Sequence, residues 1–200
     1  MLYCSGQCAA AAQVLTHCEG LLGPDVAHYC SCDGRLYSEC KEQNVTYLQK
    51  GLEDNVVNLL KSESTMCLKF SIHERYCVPE HLQCEMFRTM THEDQQLRHI
   101  GNDWMDLVVI DCVPFMYYLQ YLVYRQLGQT ARKLAALQKL KDYACQPGGI
   151  RGHVDTAAHV LAHCWELENL PNVALHLYQQ SVQQFPRNNI ANWHLARLLQ

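Results

Sequence analysis

The chain has 200 residues, of which 48% are hydrophobic and 18% are charged, a balance typical of a globular protein with a packed core and unlike that of disordered segments. The net charge of -4 excludes the broad basic surface on which nucleic-acid binding through phosphate contacts depends. The most apolar run, Leu107–Tyr124, contains Asp111 and Pro114 and is shorter than the roughly 20 residues of a membrane-spanning helix, so it predicts a buried helix and no membrane role.

The first residues predict a helix rather than a secretion signal. Met1–Ala12 lacks the basic start and the continuous apolar stretch of a signal peptide, so a cytoplasmic location is expected. In the cytosol the 12 cysteines are expected to be mostly thiols. Ala11, Leu15 and Cys18 have the small–large–small spacing of a packed helix, and because an array of helical repeats needs a polar cap, this uncapped start predicts a further segment upstream. Without export the Asn44-Val45-Thr46 sequon has no meaning for glycosylation. Export through an upstream segment would reverse this expectation and that of reduced cysteines.

The next 80 residues mix helical and irregular patterns. An irregular, Cys-rich insertion, Ala27–Cys40, precedes a helical pattern over Glu42–Leu60. Partial alternation over Thr65–Ile72 predicts a short strand near 65–72. Pro79 followed by Glu80 favours a helix over 80–90, and a second helix is expected over 93–100.

A helix pair is predicted in the following segment. Its helices span Phe115–Gly128 and Thr130–Gln146, and Pro114 is expected to break or kink the apolar run that extends from Trp104 to Leu127. The small-residue positions of this pair are degenerate, so it is only repeat-like.

Residues 155–200 carry the most regular pattern of the chain. Leu161 and Ala162 form a large–small pair, and the same pair recurs 34 residues later at Leu195 and Ala196. The positions that match the packing pattern of a repeat are Leu161, Ala162, Trp165, Ala174, Tyr178, Ser181, Pro186, Leu195 and Ala196. On these residues, Asp155–Arg187 resembles one tetratricopeptide repeat and 189–200 resembles the start of another. The resemblance implies an all-α, tetratricopeptide-like helical solenoid that packs through these positions.

The predicted organisation has four parts. They are a partial N-terminal repeat and helix (1–60), an irregular and helical connecting region (61–105), the degenerate repeat-like helix pair (106–149), and the tetratricopeptide repeat with a capping helix (155–200).

A second resemblance covers the middle of the chain. The motifs that carry it are Phe70-Ser71-Ile72-His73-Glu74, Cys77-Val78-Pro79-Glu80, Met86-Phe87-Arg88-Thr89-Met90-Thr91, Trp104-Met105-Asp106 and Pro114-Phe115-Met116-Tyr117-Tyr118-Leu119-Gln120-Tyr121. They look like the helical C-terminal region of large invertebrate proteins, some of which carry an N-terminal nucleotidyltransferase-like domain of the male-abnormal, cyclic-dinucleotide-synthase-like family. This resemblance implies a regulatory or oligomerising back half, and no catalysis in this chain. A nucleotidyltransferase needs a Gly-Ser or Gly-Gly turn with paired carboxylates, which Gly101-Asn102-Asp103 with Asp106 does not provide.

The predicted function is that of a scaffold that binds a protein or peptide partner, without cofactor or enzymatic activity. In a tetratricopeptide repeat the first helix of each pair faces a concave groove, and here those positions are Thr156, His159, His163 and Glu166, followed by Trp193 and Arg197 in the next helix. Tryptophan and arginine are enriched at binding hot spots. The alternative for Trp193 is packing as a large residue near the start of a repeat helix.

A zinc-stabilised module is the remaining alternative. Its candidate ligands are Cys4, Cys8, Cys18, Cys30, Cys32 and Cys40, with His17 and His28. Their spacing departs from the two Cys-x2–4-Cys pairs of structural zinc sites, and cysteine also serves as a small core residue. His159 and His163 lie four residues apart on a predicted helix but lack a third ligand, so no metal is predicted there either.

Overall fold

The computed structural model describes residues 2–22, 27–29, 64–88, 92, 106–145 and 153–200, and these are predominantly helical. The helices are α1 (Cys8–Gly20), α2 (Glu80–Gln83), α3 (Cys112–Gln126), α4 (Thr130–Cys145), α5 (Val154–Leu167), α6 (Pro171–Gln184) and α7 (Ala191–Leu198), with short 3-10 helices at Ile72–Cys77 and Cys84–Phe87. The strands are β1 (Ala27–Tyr29), β2 (Ser64–Phe70) and β3 (Val108–Asp111). The helices predicted over 42–60 and 93–100, and the Cys-rich insertion apart from 27–29, lie outside the described residues.

The strand β2 lies at the centre of a small three-stranded sheet and confirms the strand predicted near 65–72. It pairs in parallel with β1, where Ala27 lies opposite Ser64, and antiparallel with β3, where Phe70 lies opposite Val108. The helix predicted over 80–90 is shorter than expected, since α2 passes into a 3-10 helix at Cys84.

The strand β3 corrects the prediction of one buried helix over Leu107–Tyr124. All four residues of Val108–Asp111 are buried, and a short, nearly apolar run has no periodicity that distinguishes a buried strand from a buried helix. The helix α3 begins only at Cys112, so Pro114 lies in its first turn, where a missing N–H leaves no hydrogen bond unmade. The described part of the apolar run therefore changes from strand to helix at Cys112 rather than at Pro114, and α3 continues to Gln126.

The helices α3 and α4 form the pair predicted over 115–128 and 130–146. Gly128 separates them with a φ of +69°, a left-handed conformation that costs glycine little. Its N–H donates to the Arg125 carbonyl at 3.2 Å, and the N–H of Gln129 donates to the Tyr124 carbonyl at 2.9 Å. These two bonds form a Schellman motif, which satisfies the last carbonyls of α3 and turns the chain into α4.

A second Schellman motif joins α5 to α6. The N–H groups of Asn169 and Leu170 each donate at 2.9 Å, to the carbonyls of Glu166 and Trp165 respectively. Asn169 has a φ of 60°, which asparagine tolerates better than most residues. Pro171 then begins α6, where its fixed φ and missing N–H suit the first helical position. The helix pair predicted over Asp155–Arg187 is thereby confirmed as two packed helices, while its continuation into a solenoid stays a prediction.

The packing positions of this pair fall mainly in one cluster. Leu161 lies in the larger core and Ser181 is buried, whereas Pro186 is exposed after the end of α6. Ala196 is also exposed, because α7 packs on α6 through the face that carries Ala191 and Leu195. The cluster consists of Ala162, Ala174, Tyr178 and Ala191, with Trp165 and Leu195 packed against it.

The largest core joins α1, β3, α3, α4 and α5 around the tyrosines of α3. Tyr118 and Tyr121 are fully buried there, and Leu140 and Leu161 approach them from α4 and α5. None of the described helices is both long and apolar enough to cross a membrane.

Candidate functional site

A cleft of about 370 Å³ opens where α2, α3, α5 and α7 meet. Trp193, Arg125 and Glu80 are exposed side chains of its lining. We call its aromatic lining residues Tyr118, which is buried, and His81 and His163, which are half-buried, the floor of the cleft. The residues that line it are Tyr3, Pro79, Glu80, His81, Cys84, Tyr118, Leu122, Arg125, His163, Leu167, Trp193 and Arg197. We refer to this space as the cleft.

Stacked imidazoles form the floor of the cleft and the layer beneath it. His81 on α2 stacks on His163 of α5, with ring centroids 3.8 Å apart and planes inclined by 4°. It also stacks on His194 of α7 at 4.3 Å, and His194 in turn stacks on Tyr178 of α6 at 4.7 Å. Four helices thus contribute to one continuous aromatic column.

The histidines of this column are neutral at physiological pH. Burial lowers the pKa of His163 to about 4, although Glu166 partly opposes the shift. Burial, with a further contribution from His159, lowers the pKa of His194 to about 3. Burial and the neighbouring histidines place the pKa of His81 well below its ordinary value. The column therefore adds no positive charge to the cleft, and its flat rings pack like other aromatic groups.

Hydrogen bonds fix the tautomers of two of these rings. The Tyr118 hydroxyl lies 2.7 Å from Nδ1 of His163. Tyr118 is fully buried, and Nδ1 is the one hydrogen-bond partner of its hydroxyl among the described residues, so the O–H group donates rather than remain unsatisfied. Nδ1 is then the acceptor, which leaves the hydrogen of the neutral ring on Nε2. The Tyr178 hydroxyl donates to Glu166 at 2.8 Å, so it accepts from Nε2 of His81 at 3.3 Å.

The rim of the cleft carries an aromatic side chain and a paired cation. Trp193 is 43% exposed and meets the edge of His194, so it packs in part and presents the rest of its ring to solvent. Arg197 lies over the Trp193 ring at 5.7 Å and donates two hydrogen bonds of 2.7 and 2.6 Å to Glu166. Both bonds come from Nη2 of Arg197, and this ion pair holds Arg197 at the edge of the cleft.

A separate, buried network of charges lies under the column. Arg88 is 4% exposed and contacts Glu85 at 2.5 Å and Asp155 at 3.0 Å, and it also donates to the Thr156 hydroxyl at 3.0 Å. Burial raises the pKa of Glu85, but Arg88 and the hydrogen bond from His159 outweigh that effect, so the pKa of Glu85 lies below its ordinary value. Each of these buried ions needs its partner, because removing one partner of a buried ion pair lowers the free energy of unfolding by about 3–5 kcal/mol.

The six residues predicted to line a partner-binding groove divide into two groups. His163, Trp193 and Arg197 line the cleft, and Glu166 holds Arg197 in place. Thr156 and His159 are 0% and 1% exposed, so the prediction that they face an open groove is corrected. They point instead at the 3-10 helix Cys84–Phe87 and Arg88, a segment that covers this part of α5 and that the repeat pattern does not reveal.

His159 completes an arrangement that has the connectivity of a catalytic triad. Its Nδ1 lies 2.6 Å from Glu85 Oε1, and its Nε2 lies 2.9 Å from Ser181 Oγ, which also accepts from Asn189 at 3.0 Å. A serine nucleophile must reach its substrate. Ser181 is 4% exposed, its two partners are 1% exposed, and none of them lines the cleft, so this chain of hydrogen bonds serves to fix α5, α6 and the 84–88 segment together.

The described residues also bear on the metal alternatives. No group of three or more His, Cys, Asp or Glu side chains converges among them in a way that could hold a metal ion. His159 and His163 use their ring nitrogens for Glu85, Ser181 and Tyr118 rather than for a shared ligand. Cys4, Cys8 and Cys18 are free thiols, whereas Cys30, Cys32 and Cys40 lie outside the described residues.

Several cleft residues were missed by reasoning from sequence. His81, Tyr118 and Arg125 come from helices that precede the repeat region, and local periodicity assigned them to connecting or core positions. The one sequence signal for these cleft residues was a polar side chain, His81, in the helix that follows Pro79. No protein-family model matches this chain, and no curated protein or solved structure shows a match to it.

Proposed function

We propose that this chain is a protein-interaction scaffold that holds a short segment of a partner protein in the cleft. The observation that carries the proposal is the exposed Trp193 ring at the rim of a concave space that is also lined by stacked aromatic rings. Exposed tryptophan beside arginine is the composition of interface hot spots. The repeat-like packing of α5, α6 and α7 supports the same reading, because stacked helix pairs provide a rigid surface for a partner.

The dimensions of the cleft favour a short segment over a folded domain. Its volume lies near the lower end of the roughly 300–1,000 Å³ range of ligand pockets. Such a space accepts a few side chains of an extended or helical segment. The stacked rings of His81, His163 and His194 come from three helices, so the floor is formed before a partner arrives and binding orders few protein groups.

The proposal is tested by peptide selection against matched variants. A phage-displayed library of random dodecapeptides is selected on the wild-type chain, and the recovered peptides are measured against Trp193→Ala and Leu134→Ala. Leu134 is a suitable control because it is 48% exposed on α4 and does not line the cleft. We expect Trp193→Ala to weaken binding at least about tenfold, the scale of a hot-spot tryptophan, and Leu134→Ala to leave it unchanged.

The folding of both variants is verified by circular dichroism and by the midpoint of thermal unfolding. A selection that yields no binding peptide, or peptides that bind Trp193→Ala as tightly as the wild type, would overturn the proposal that the cleft binds a partner segment.

A further inference from the structure

Arg125 is the cleft arginine that is not held in an ion pair with a described residue, although its charge helps to lower the pKa of Glu168. It is exposed at the end of α3, and it makes no side-chain hydrogen bond or ion pair with any residue that the structure describes. Arg197, the other arginine of the cleft, already donates two hydrogen bonds to Glu166. A guanidinium without a partner on a concave wall is suited to a bidentate carboxylate.

A second donor faces the same space. His163 lines the cleft, and the hydrogen bond from Tyr118 to its Nδ1 leaves the ring hydrogen on Nε2. No hydrogen bond from Nε2 to another described residue is present, so this N–H is available to a ligand. The donor is neutral and held in place by the stack with His81, which lets it bind an acceptor without rearrangement.

The charges around His163 are mixed, since Glu166 raises the pKa of that ring, whereas Arg197 and Arg125 lower it. Because Glu166 is paired with Arg197, Arg125 is the positive charge left for an anionic ligand group. Glu80 is the acidic side chain among the lining residues and repels an anion, so the anionic group belongs beside Arg125 and away from Glu80. The exposed Trp193 ring is then free to contact an apolar side chain next to the anionic group of the ligand.

We infer that the cleft recognises a carboxylate next to an apolar side chain in a partner peptide, with Arg125 and His163 Nε2–H as the donors to the carboxylate and Trp193 as the apolar contact. This inference rests on the proposed function and specifies its ligand class. The carboxylate has two possible sources, an Asp or Glu side chain and the C-terminus of the partner, and the two share the same chemistry.

Synthetic peptides separate these possibilities. We would use fluorescent decapeptide pools with one central Asp flanked by mixed Leu, Phe and Tyr, each made with a free and with an amidated C-terminus, and matching pools with Asn in place of Asp. Binding is measured by fluorescence polarisation to the wild type, Arg125→Gln and Arg187→Gln. Arg187 is the control because it is also exposed and free of side-chain contacts to described residues, and it does not line the cleft.

We expect Arg125→Gln to lose roughly tenfold in affinity for a carboxylate-bearing pool and Arg187→Gln to lose none. Preference for Asp over Asn identifies a side-chain carboxylate, and preference for the free over the amidated end identifies the C-terminus. The preference should disappear in Arg125→Gln, because a double-mutant cycle isolates the direct interaction of the two groups.

Two outcomes distinguish the failure of this inference from the failure of the proposed function. Asn pools that bind as well as Asp pools, with Arg125→Gln equal to the wild type but Trp193→Ala defective, would overturn the carboxylate inference and leave the cleft as a binding site. Binding that is insensitive to both Arg125→Gln and Trp193→Ala would overturn both.

Discussion

At the scale of single residues, the burial of Arg88 is the most consequential feature. Its guanidinium contacts two carboxylates, Glu85 and Asp155, and all three side chains are at most 9% exposed. Desolvation of such a group is costly, and its partners repay that cost only while all of them are present. The ion cluster therefore fixes the 84–88 segment against the start of α5 and, through Glu85, orients His159.

Replacing Arg88 should be far more damaging than replacing an exposed arginine in an ion pair. We expect Arg88→Met to lower the free energy of unfolding by about 3–5 kcal/mol, because it removes a buried cation that contacts two buried carboxylates. The control is Arg197→Met, which removes a pair whose arginine is 39% exposed and should cost about 1 kcal/mol or less. Urea unfolding measures both, and equal losses would contradict the role given to Arg88.

At the scale of elements, local periodicity explains most helices but not the site. The helices α3 to α6 follow from apolar spacing, from Gly128 and from Pro171, which act within a few residues of the chain. The strand β3 does not follow from apolar spacing, because its four consecutive residues are all buried and show no periodicity. His163 and Trp193, which the repeat spacing assigned to one groove, both line the cleft. Contacts from α2, such as those of His81, depend on long-range packing that a single sequence does not encode in its local pattern.

The crossing of α5 and α6 depends on a small side chain at Ala174. This residue is completely buried in the cluster with Ala162 and Tyr178, so a larger side chain would have to displace these neighbours. We expect Ala174→Leu to destabilise the protein by about 1–3 kcal/mol through overpacking. Ala196→Leu is the matched control, since Ala196 is exposed on α7 and its change should stay within about 0.5 kcal/mol. Similar midpoints of thermal unfolding for the two variants would contradict the proposed helix crossing.

At the scale of the whole molecule, the aromatic column connects parts that lie far apart in sequence. His81, His163 and His194 belong to α2, α5 and α7, and Tyr118 adds α3 through its hydrogen bond to His163. The column needs neutral imidazoles, because protonation would place like charges within stacking distance in a poorly solvated place. The stability of the protein and the shape of the cleft should therefore share one dependence on pH.

We expect acid to destabilise the fold between about pH 6.5 and pH 4. In this window His163 and His194 take up protons in the unfolded chain but not in the folded one, since burial lowers their folded pKa values to about 4 and about 3. Because the unfolded state binds more protons, the free energy of unfolding falls with falling pH by about 1.4 kcal/mol per pH unit for each of the two histidines. Their contribution is complete above the unfolded pKa and is lost progressively below it.

A variant of one ring separates this effect from general acid sensitivity. His194→Phe keeps an aromatic ring in the stack, removes one titrating group, and replaces a buried Nδ1 that has no hydrogen-bond partner among the described residues. We expect its urea-unfolding free energy to depend less steeply on pH, by about one proton, than that of the wild type. Trp193→Phe, at the adjacent exposed position, changes an aromatic side chain without removing a titrating group and should keep the wild-type slope. Equal slopes for the wild type and His194→Phe would show that His194 does not couple proton uptake to unfolding, and the pH dependence of the fold would then have to arise from other groups.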